Sequence, residues 1–259
     1  MFFARAHLSK WISAAFCFTI FFARSSYGCG VMGGETRIAE VNNRLEIRLD
    51  DGRLTRLAGL DAASPAAARE RLLAEGSGRP LKVAVLAPRP DRWGRWLVDL
   101  SAVDGASLSD DLLAHGLVRV KPEFETRGCE ATRLAVEARG RRESLGIWNE
   151  PEAALDATDL AGLAAAGLGL VVVEGIIRRV GSSRSRFYLD FAGRDGFTVV
   201  VARKAETTFQ RRGIALTTLA GHQVRVRGYI DNRFGPRIEL ADPWMIERID
   251  GVGGSQPGG

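Results

Sequence analysis

Leu45-Glu46-Ile47-Arg48-Leu49-Asp50-Asp51-Gly52-Arg53-Leu54-Thr55-Arg56-Leu57-Ala58-Gly59-Leu60 is the stretch on which the fold turns. From 45 to 49 apolar and charged residues alternate, so Leu45, Ile47 and Leu49 face one side of a strand while Glu46 and Arg48 face the other. Asp51-Gly52 is a hairpin signal, and Arg53 to Leu60 runs back as the partner strand. Upstream, Thr36 to Val41 is a further short strand. Downstream, Pro65 opens a helix that runs to about Glu75 and closes at Gly76. Leu81 to Ala87 and Trp96 to Leu100 form a strand pair around the loop from Pro88 to Arg95. Ser107 to His115 is a short helix ended by Gly116, and Cys129 to Ser144 is a longer one. This order is that of a small β-barrel with packed helices.

A chain of 259 residues holds two such units comfortably. Residues 151–168, rich in Ala, Asp and Gly, read as a linker that could hold a helical turn. Beyond it come five candidate strands, at Leu170–Val180, Phe187–Phe191, Phe197–Val201, Val224–Ile230 and Pro236–Leu240. A helical segment from Ala205 to Leu219 separates the third from the fourth, which suggests a smaller oligonucleotide/oligosaccharide-binding (OB) type barrel over 169–250. The fold expected is therefore mainly β with packed helices, one barrel over 29–150 and a second after it. The Gly-rich residues 251–259 are expected to be disordered.

The first 28 residues carry a different signal. Arg5 and Lys10 precede the apolar run from Trp11 to Ala23, and small residues follow at Ser25, Ser26 and Gly28. A basic start, a short apolar stretch and a small-residue site describe a secretory signal peptide cut near Gly28. The run is shorter than the ~20 residues that span a bilayer, so export to a periplasm or the exterior is expected rather than a stable membrane span. Anchoring through this segment, or acylation of Cys29, are the other readings. Export leaves Cys29 and Cys129, an even pair in an oxidising compartment, and the expectation is a disulfide between them. The formal charge of +5 and an isoelectric point near 9.5 suit an anionic partner such as nucleic acid. Three histidines and no cysteine cluster give no support to a zinc site.

Four stretches then resemble one family in order and spacing. Arg56-Leu57-Ala58-Gly59-Leu60-Asp61 is similar to the "RLxGIDxPE" segment of staphylococcal-nuclease-like (thermonuclease) domains. Asp91-Arg92-Trp93-Gly94-Arg95 resembles "DRYGR", and Leu112 to Arg119 resembles "LLxxGLAR". Glu137-Ala138-Arg139 with Gly146-Ile147-Trp148 resembles "ExxAR…GLW". The resemblance covers about residues 36–150, under half of the chain. It implies an OB-type barrel in which calcium and two arginines grip a phosphodiester while a glutamate assists the attacking water. Arginine forks match phosphate oxygens, and a hard cation needs several oxygen ligands.

Carried over by position, Arg56 and Arg95 are the phosphate clamp, Asp61 is a metal ligand with the Ala62 carbonyl beside it, and Trp93 stands near a bound base. Two members depart from the family. Ala63-Ser64 replaces Pro-Glu, so the Ser64 hydroxyl stands at the general-base position, where it is no base at neutral pH. Leu45 falls at or beside the first metal-ligand aspartate, and strand alternation turns Glu46 away from Asp61. Calcium, if bound at all, is expected to bind weakly. The expected function is a degenerate thermonuclease-like protein that binds nucleic acid or another phosphate-bearing polymer with weak or no hydrolysis. An active phosphodiesterase rewired through Glu46 or Asp50 is one alternative, and a non-catalytic envelope interaction protein is the other. In the second barrel, arginines interleaved with Phe187, Tyr188, Phe191 and Phe234 describe either a single-strand groove or an ordinary core with a solvated shell. On both readings the arginines of Val224-Arg225-Val226-Arg227-Gly228 point outward.

Overall fold

The computed structural model describes residues 29–30, 33–193, 196–233 and 235–250. The expected signal peptide (1–28), the tail (251–259) and Phe234 lie outside the described residues. The protein is mainly β, with a nearly closed barrel-like sheet and packed helices. Its N-terminal half contains β1 (Glu35–Thr36), β2 (Ile38–Val41), β3 (Ile47–Leu49), β4 (Leu54–Leu57), β5 (Leu60–Asp61), α1 (Pro65–Gly76), β6 (Leu81–Val85), β7 (Trp96–Ala102), α2 (Leu108–Ala114), β8 (Arg119–Val120) and α3 (Glu130–Arg142). Six of the strands form one sheet in the order β1-β6-β7-β4-β3-β2. Its two edges, β1 and β2, are separated only by Arg37, so the chain itself brings the edges together. All neighbours are antiparallel except β4 and β7, which run parallel.

Alternation does the work expected of it inside β3. Ile47 and Leu49 are buried in a core shared with Val83, Val98 and Leu100 of the sheet, while Arg48 is exposed. Helices α1, α2 and α3 cover that core with Leu72, Leu112 and Leu134. The strand, however, starts two residues later than its pattern suggests. Leu45 has φ 57°, in the left-handed region, and its amide donates to the Asn42 carbonyl. The Asn42 side-chain oxygen accepts from the amides of Arg44 and Glu46, so a tight turn occupies 42–46.

The C-terminal half contains β9 (Leu155–Asp156), α4 (Leu160–Ala165), β10 (Val171–Ile176), β11 (Arg179–Ser182), β12 (Arg186–Asp190), β13 (Thr198–Ala202), α5 (Glu206–Arg211), β14 (Gln223–Gly228), β15 (Ile230–Asp231), β16 (Arg237–Leu240) and β17 (Ile246–Arg248). They form sheets ordered β17-β14-β10-β9 and β11-β12-β13-β16-β15. Only Ile177 and Arg178 separate β10 from β11, and only Tyr229 separates β14 from β15, so two bent strands pass from one sheet to the other. The parallel pair recurs here as β13 and β16, with α5 between β13 and β14. Phe187, Phe191, Phe197 and Phe209 fill the core. Residues 151–168 are no free linker: β9 pairs parallel with β10, and Ala157 and Leu163 are fully buried in the same core. Their apolar side chains find a partner that composition could not reveal. Among the described residues no helix is long and apolar enough to cross a membrane.

Between the halves lies the largest departure from the sequence pattern. Arg227 points outward from its own core, as alternation requires, but that outer face is covered by the N-terminal half and the side chain is 0% exposed. Its Nη1 and Nη2 donate to the two carboxylate oxygens of Glu137 on α3 at 3.0 Å each. Nη2 also donates to Glu247 at 2.6 Å, and Nη1 to the Val120 carbonyl at 3.1 Å. Glu137 further accepts from the Val120 amide. Arg225, the other arginine of that strand, pairs across the sheet with Glu174. Nearby, Arg119 donates to the Leu170 carbonyl, and Trp244 packs on the N-terminal core beneath the Arg212 guanidinium.

Burial pushes the Glu137 carboxyl up, but the Arg227 guanidinium and the Val120 amide outweigh it and hold the group below its ordinary 4.5. A depressed carboxyl stabilises the fold above the unfolded value, and that stability is lost as pH falls through the folded one. Arg227→Met should cost about 3–5 kcal/mol in urea unfolding at pH 7, because it leaves the buried Glu137 carboxylate with only Arg141 and the Val120 amide. Adding Glu137→Gln should recover much of the loss and flatten the decline in stability below pH 4.5. Additive losses from the two changes would refute the pairing.

Candidate functional site

Arg56 lies near the end of β4, two residues before the chain bends at Ala58-Gly59 into β5. Gly59 has φ +72°, and a Cβ there would lie 2.7 Å from both Arg133 Nη1 and Thr126 Cγ2, so only glycine fits this bend. The Gly59 amide donates to Glu123, whose two oxygens also take Arg56 Nη1 and Nη2 at 3.0 Å each. Lys121 stands 3.3 Å from the same carboxylate. Burial raises the Glu123 carboxyl, but the Arg56 fork more than offsets this and leaves the group below its ordinary range.

Arg95 enters from the turn that precedes β7. Asp91 accepts from the Trp93 and Arg95 amides, which shapes the turn, and its other oxygen takes Arg95 Nε and Nη2 at 3.0 and 2.8 Å. Arg95 Nη1 donates to Glu46 at 3.0 Å. Trp93 is 58% exposed, with the guanidinium carbons of Arg92 and Arg95 at 3.9 and 4.7 Å from its ring centre. Phe124, which follows Glu123, is also exposed, with Arg127 over its ring.

Arg56 and Arg95 meet Arg44 and Asp61 at one cavity of about 150 Å³. Its apolar wall includes Leu45, Leu57, Leu60, Leu72, Leu112 and Val118, and Ala62 lies on its rim. Three cations thus surround a single lining carboxylate. Asp61 makes no ion pair at contact distance among the described residues. Burial raises its carboxyl above 3.8, and the more distant Lys121 and Arg119 only partly offset this.

Of the residues anticipated from sequence, Arg56, Arg95 and Asp61 come together at this cavity, and Trp93 stands beside Arg95. Ser64 does not line it; it precedes α1 and its amide donates to the Leu117 carbonyl. Asp50 accepts from Thr36 Oγ1 and faces Arg37, away from Asp61. Glu46 follows a turn rather than strand parity: it accepts from Asn42 and from Arg95. Arg44 and Glu123 were not anticipated. Arg44 belongs to an irregular turn with no periodicity to place it. Glu123 is separated from Arg56 by 67 residues, and nothing local pairs them.

The donor set does not fit calcium. One carboxylate and a neighbouring carbonyl fall well short of the 6–8 oxygens such an ion takes. Among the described residues no group of three or more His, Cys, Asp or Glu is placed to hold a metal ion.

In the C-terminal half, most of the described aromatics are committed to packing, though Tyr229 is exposed. Phe187 and Phe191 are buried and Tyr188 is half-buried. Several arginines there are paired: Arg179 with Asp190, and Arg233 and Arg237 with Asp231. A Cys29–Cys129 disulfide ties the start of the described chain to the residue before α3, with Cα atoms 5.5 Å apart. Comparison with protein-family models and with curated proteins returns no match for this chain.

Proposed function

We propose that this protein binds the phosphodiester backbone of nucleic acid, or of a similar anionic polymer, at the Arg44–Arg56–Arg95 cavity, with weak or no hydrolysis. The convergence of three guanidinium groups on one cavity with a single carboxylate carries the reading. The scaffold is read as a thermonuclease-like OB-type barrel followed by a second OB-like barrel. The shared strand scheme supports this, since the main sheet of each half is antiparallel but for one parallel pair, β4 with β7 and β13 with β16.

Guanidinium forks suit phosphate, but Arg56 and Arg95 are already held by carboxylates. An incoming phosphate must displace or share them, so its net gain is the difference between two charge-assisted contacts. Bound polymer therefore gains moderate affinity, with the exposed Trp93 and Phe124 rings, close in sequence to Arg95 and Glu123, available to stack bases. Hydrolysis lacks its base. Ser64 is an alcohol outside the cavity, and Asp61 has no second carboxylate to share a cation with.

Fluorescence anisotropy with a labelled single-stranded oligonucleotide tests the binding. Three phosphate contacts predict about 20-fold weaker binding between 50 and 200 mM salt. Arg44→Glu should weaken binding by about tenfold with no change in unfolding midpoint, since the side chain is exposed. Affinity indifferent to salt and to Arg44 would end the proposal, as would calcium-stimulated cleavage of the oligonucleotide at rates typical of nucleases.

Glu123→Gln keeps the shape of the Arg56 partner but removes its charge. Binding should tighten by about 5-fold, roughly 1 kcal/mol, while the variant loses some stability because a charged pair with Arg56 becomes a neutral one. Unchanged or weaker binding would show that Arg56 does not reach the polymer.

A further inference from the structure

A second buried polar cluster lies on the same face of α3 as Glu137, a turn nearer the start of the helix, and the cavity does not use it. Asp99 on β7 is 0% exposed. Its Oδ1 accepts from Ser109 Oγ at 2.7 Å and from Arg133 Nη2 at 3.1 Å. Its Oδ2 accepts from the backbone nitrogen of Cys29 at 2.6 Å. That is shorter than the usual ~2.9 Å of an amide bond and in keeping with a charge-assisted one. Cys29 itself is 4% exposed. Glu130, the first residue of α3, is also buried and accepts only from Thr126 Oγ1 and the Gly128 amide, with no ion pair at contact distance among the described residues. Among the described residues Asp99 has Arg133 as its one buried cation, and that guanidinium also serves the Ala58 carbonyl, while Glu130 lies within coulombic reach of the partly buried Arg212. Buried charges of this kind are normally balanced.

The residues before Cys29 indicate what charge its nitrogen carries. Ser26 and Gly28 put small side chains three residues and one residue before the Gly28–Cys29 bond, the spacing of a leader-peptide cut. We propose that this bond is hydrolysed by an endopeptidase selective for such small residues, and that the new α-ammonium group of Cys29 is the buried partner of Asp99. Water is the co-reactant. Its oxygen stays on the Gly28 carboxylate, which leaves with the leader, and the released amine takes up a proton to become the ammonium. The cut precedes folding, since the folded protein buries Cys29. The disulfide excludes a competing fate: Cys29 Sγ is bonded to Cys129 and cannot also carry an acyl thioether. This inference is independent of the proposed function.

The full chain is expressed in a secreting host, and the exported protein is examined by intact mass and N-terminal sequencing. The expected species begins at Cys29, carries no acyl group, and gains two hydrogens on reduction. A different first residue, a retained leader or an acylated Cys29 overturns the proposal. Asp99 is tested through the amine itself. Reductive methylation of the Cys29 α-amino group at neutral pH should be at least tenfold slower in the folded protein than in urea, and Asp99→Asn should narrow that difference at a pH where both proteins remain folded. Equal rates in the folded and unfolded wild-type protein, or protection unaffected by Asp99→Asn, would overturn the ion pair even where the cleavage site is correct.

Discussion

The fully buried Arg227–Glu137 pair is the constraint from which the rest of the architecture follows. Both charges are removed from water, which costs several kcal/mol each unless every donor and acceptor near them is used well. Here the Glu137 oxygens take the Arg227 fork, Arg141 and the Val120 amide, and Arg227 also reaches the Val120 carbonyl and Glu247, with its Nε alone left without a hydrogen-bond partner. Both backbone groups of Val120 are thereby tied into one ionic node. Val120 belongs to β8, which pairs with β5 through Leu60 and Asp61. The C-terminal half, which contributes no side chain to the cavity, thus holds the strand against which Asp61 is set.

That same strand leads to the electrostatics of the cavity. Arg119, Lys121 and Glu123 follow one another at alternate positions along and just after β8. The first two attract the Asp61 carboxylate from a distance, and the third grips Arg56 directly. Carboxylates hold the arginine forks at fixed angles, which reduces the side-chain entropy a ligand must remove. They also neutralise the charge a phosphate would seek. A site built this way trades strength for exchangeability, and it leaves Asp61 in an environment that disfavours its charged form.

Much of this was legible in order along the chain. Alternation at Ile47 to Leu49, the Asp51-Gly52 turn, the Pro65 helix start and the stops at Gly76 and Gly116 are local consequences of backbone sterics and side-chain period, and their elements lie within a few residues of where the pattern sets them. Leu45 and Glu46 escaped because Asn42 caps a turn whose hydrogen bonds override strand parity. Residues 151–168 escaped because Ala157 and Leu163 acquire meaning only against a core built from distant strands.

By itself, then, the sequence determined where the chain turns and which face of each strand is apolar, and a resemblance of motifs led to the expectation that Arg56, Asp61 and Arg95 lie together, as they do in lining one cavity. Tertiary structure alone decided which charges meet. Outward from one core proved to be inward to another for Arg227, and Glu123 reached Arg56 across 67 residues. Local pattern records a residue's own preference for water or for an apolar neighbour, whereas an ion pair depends on two positions whose approach is set by how whole sheets and helices pack.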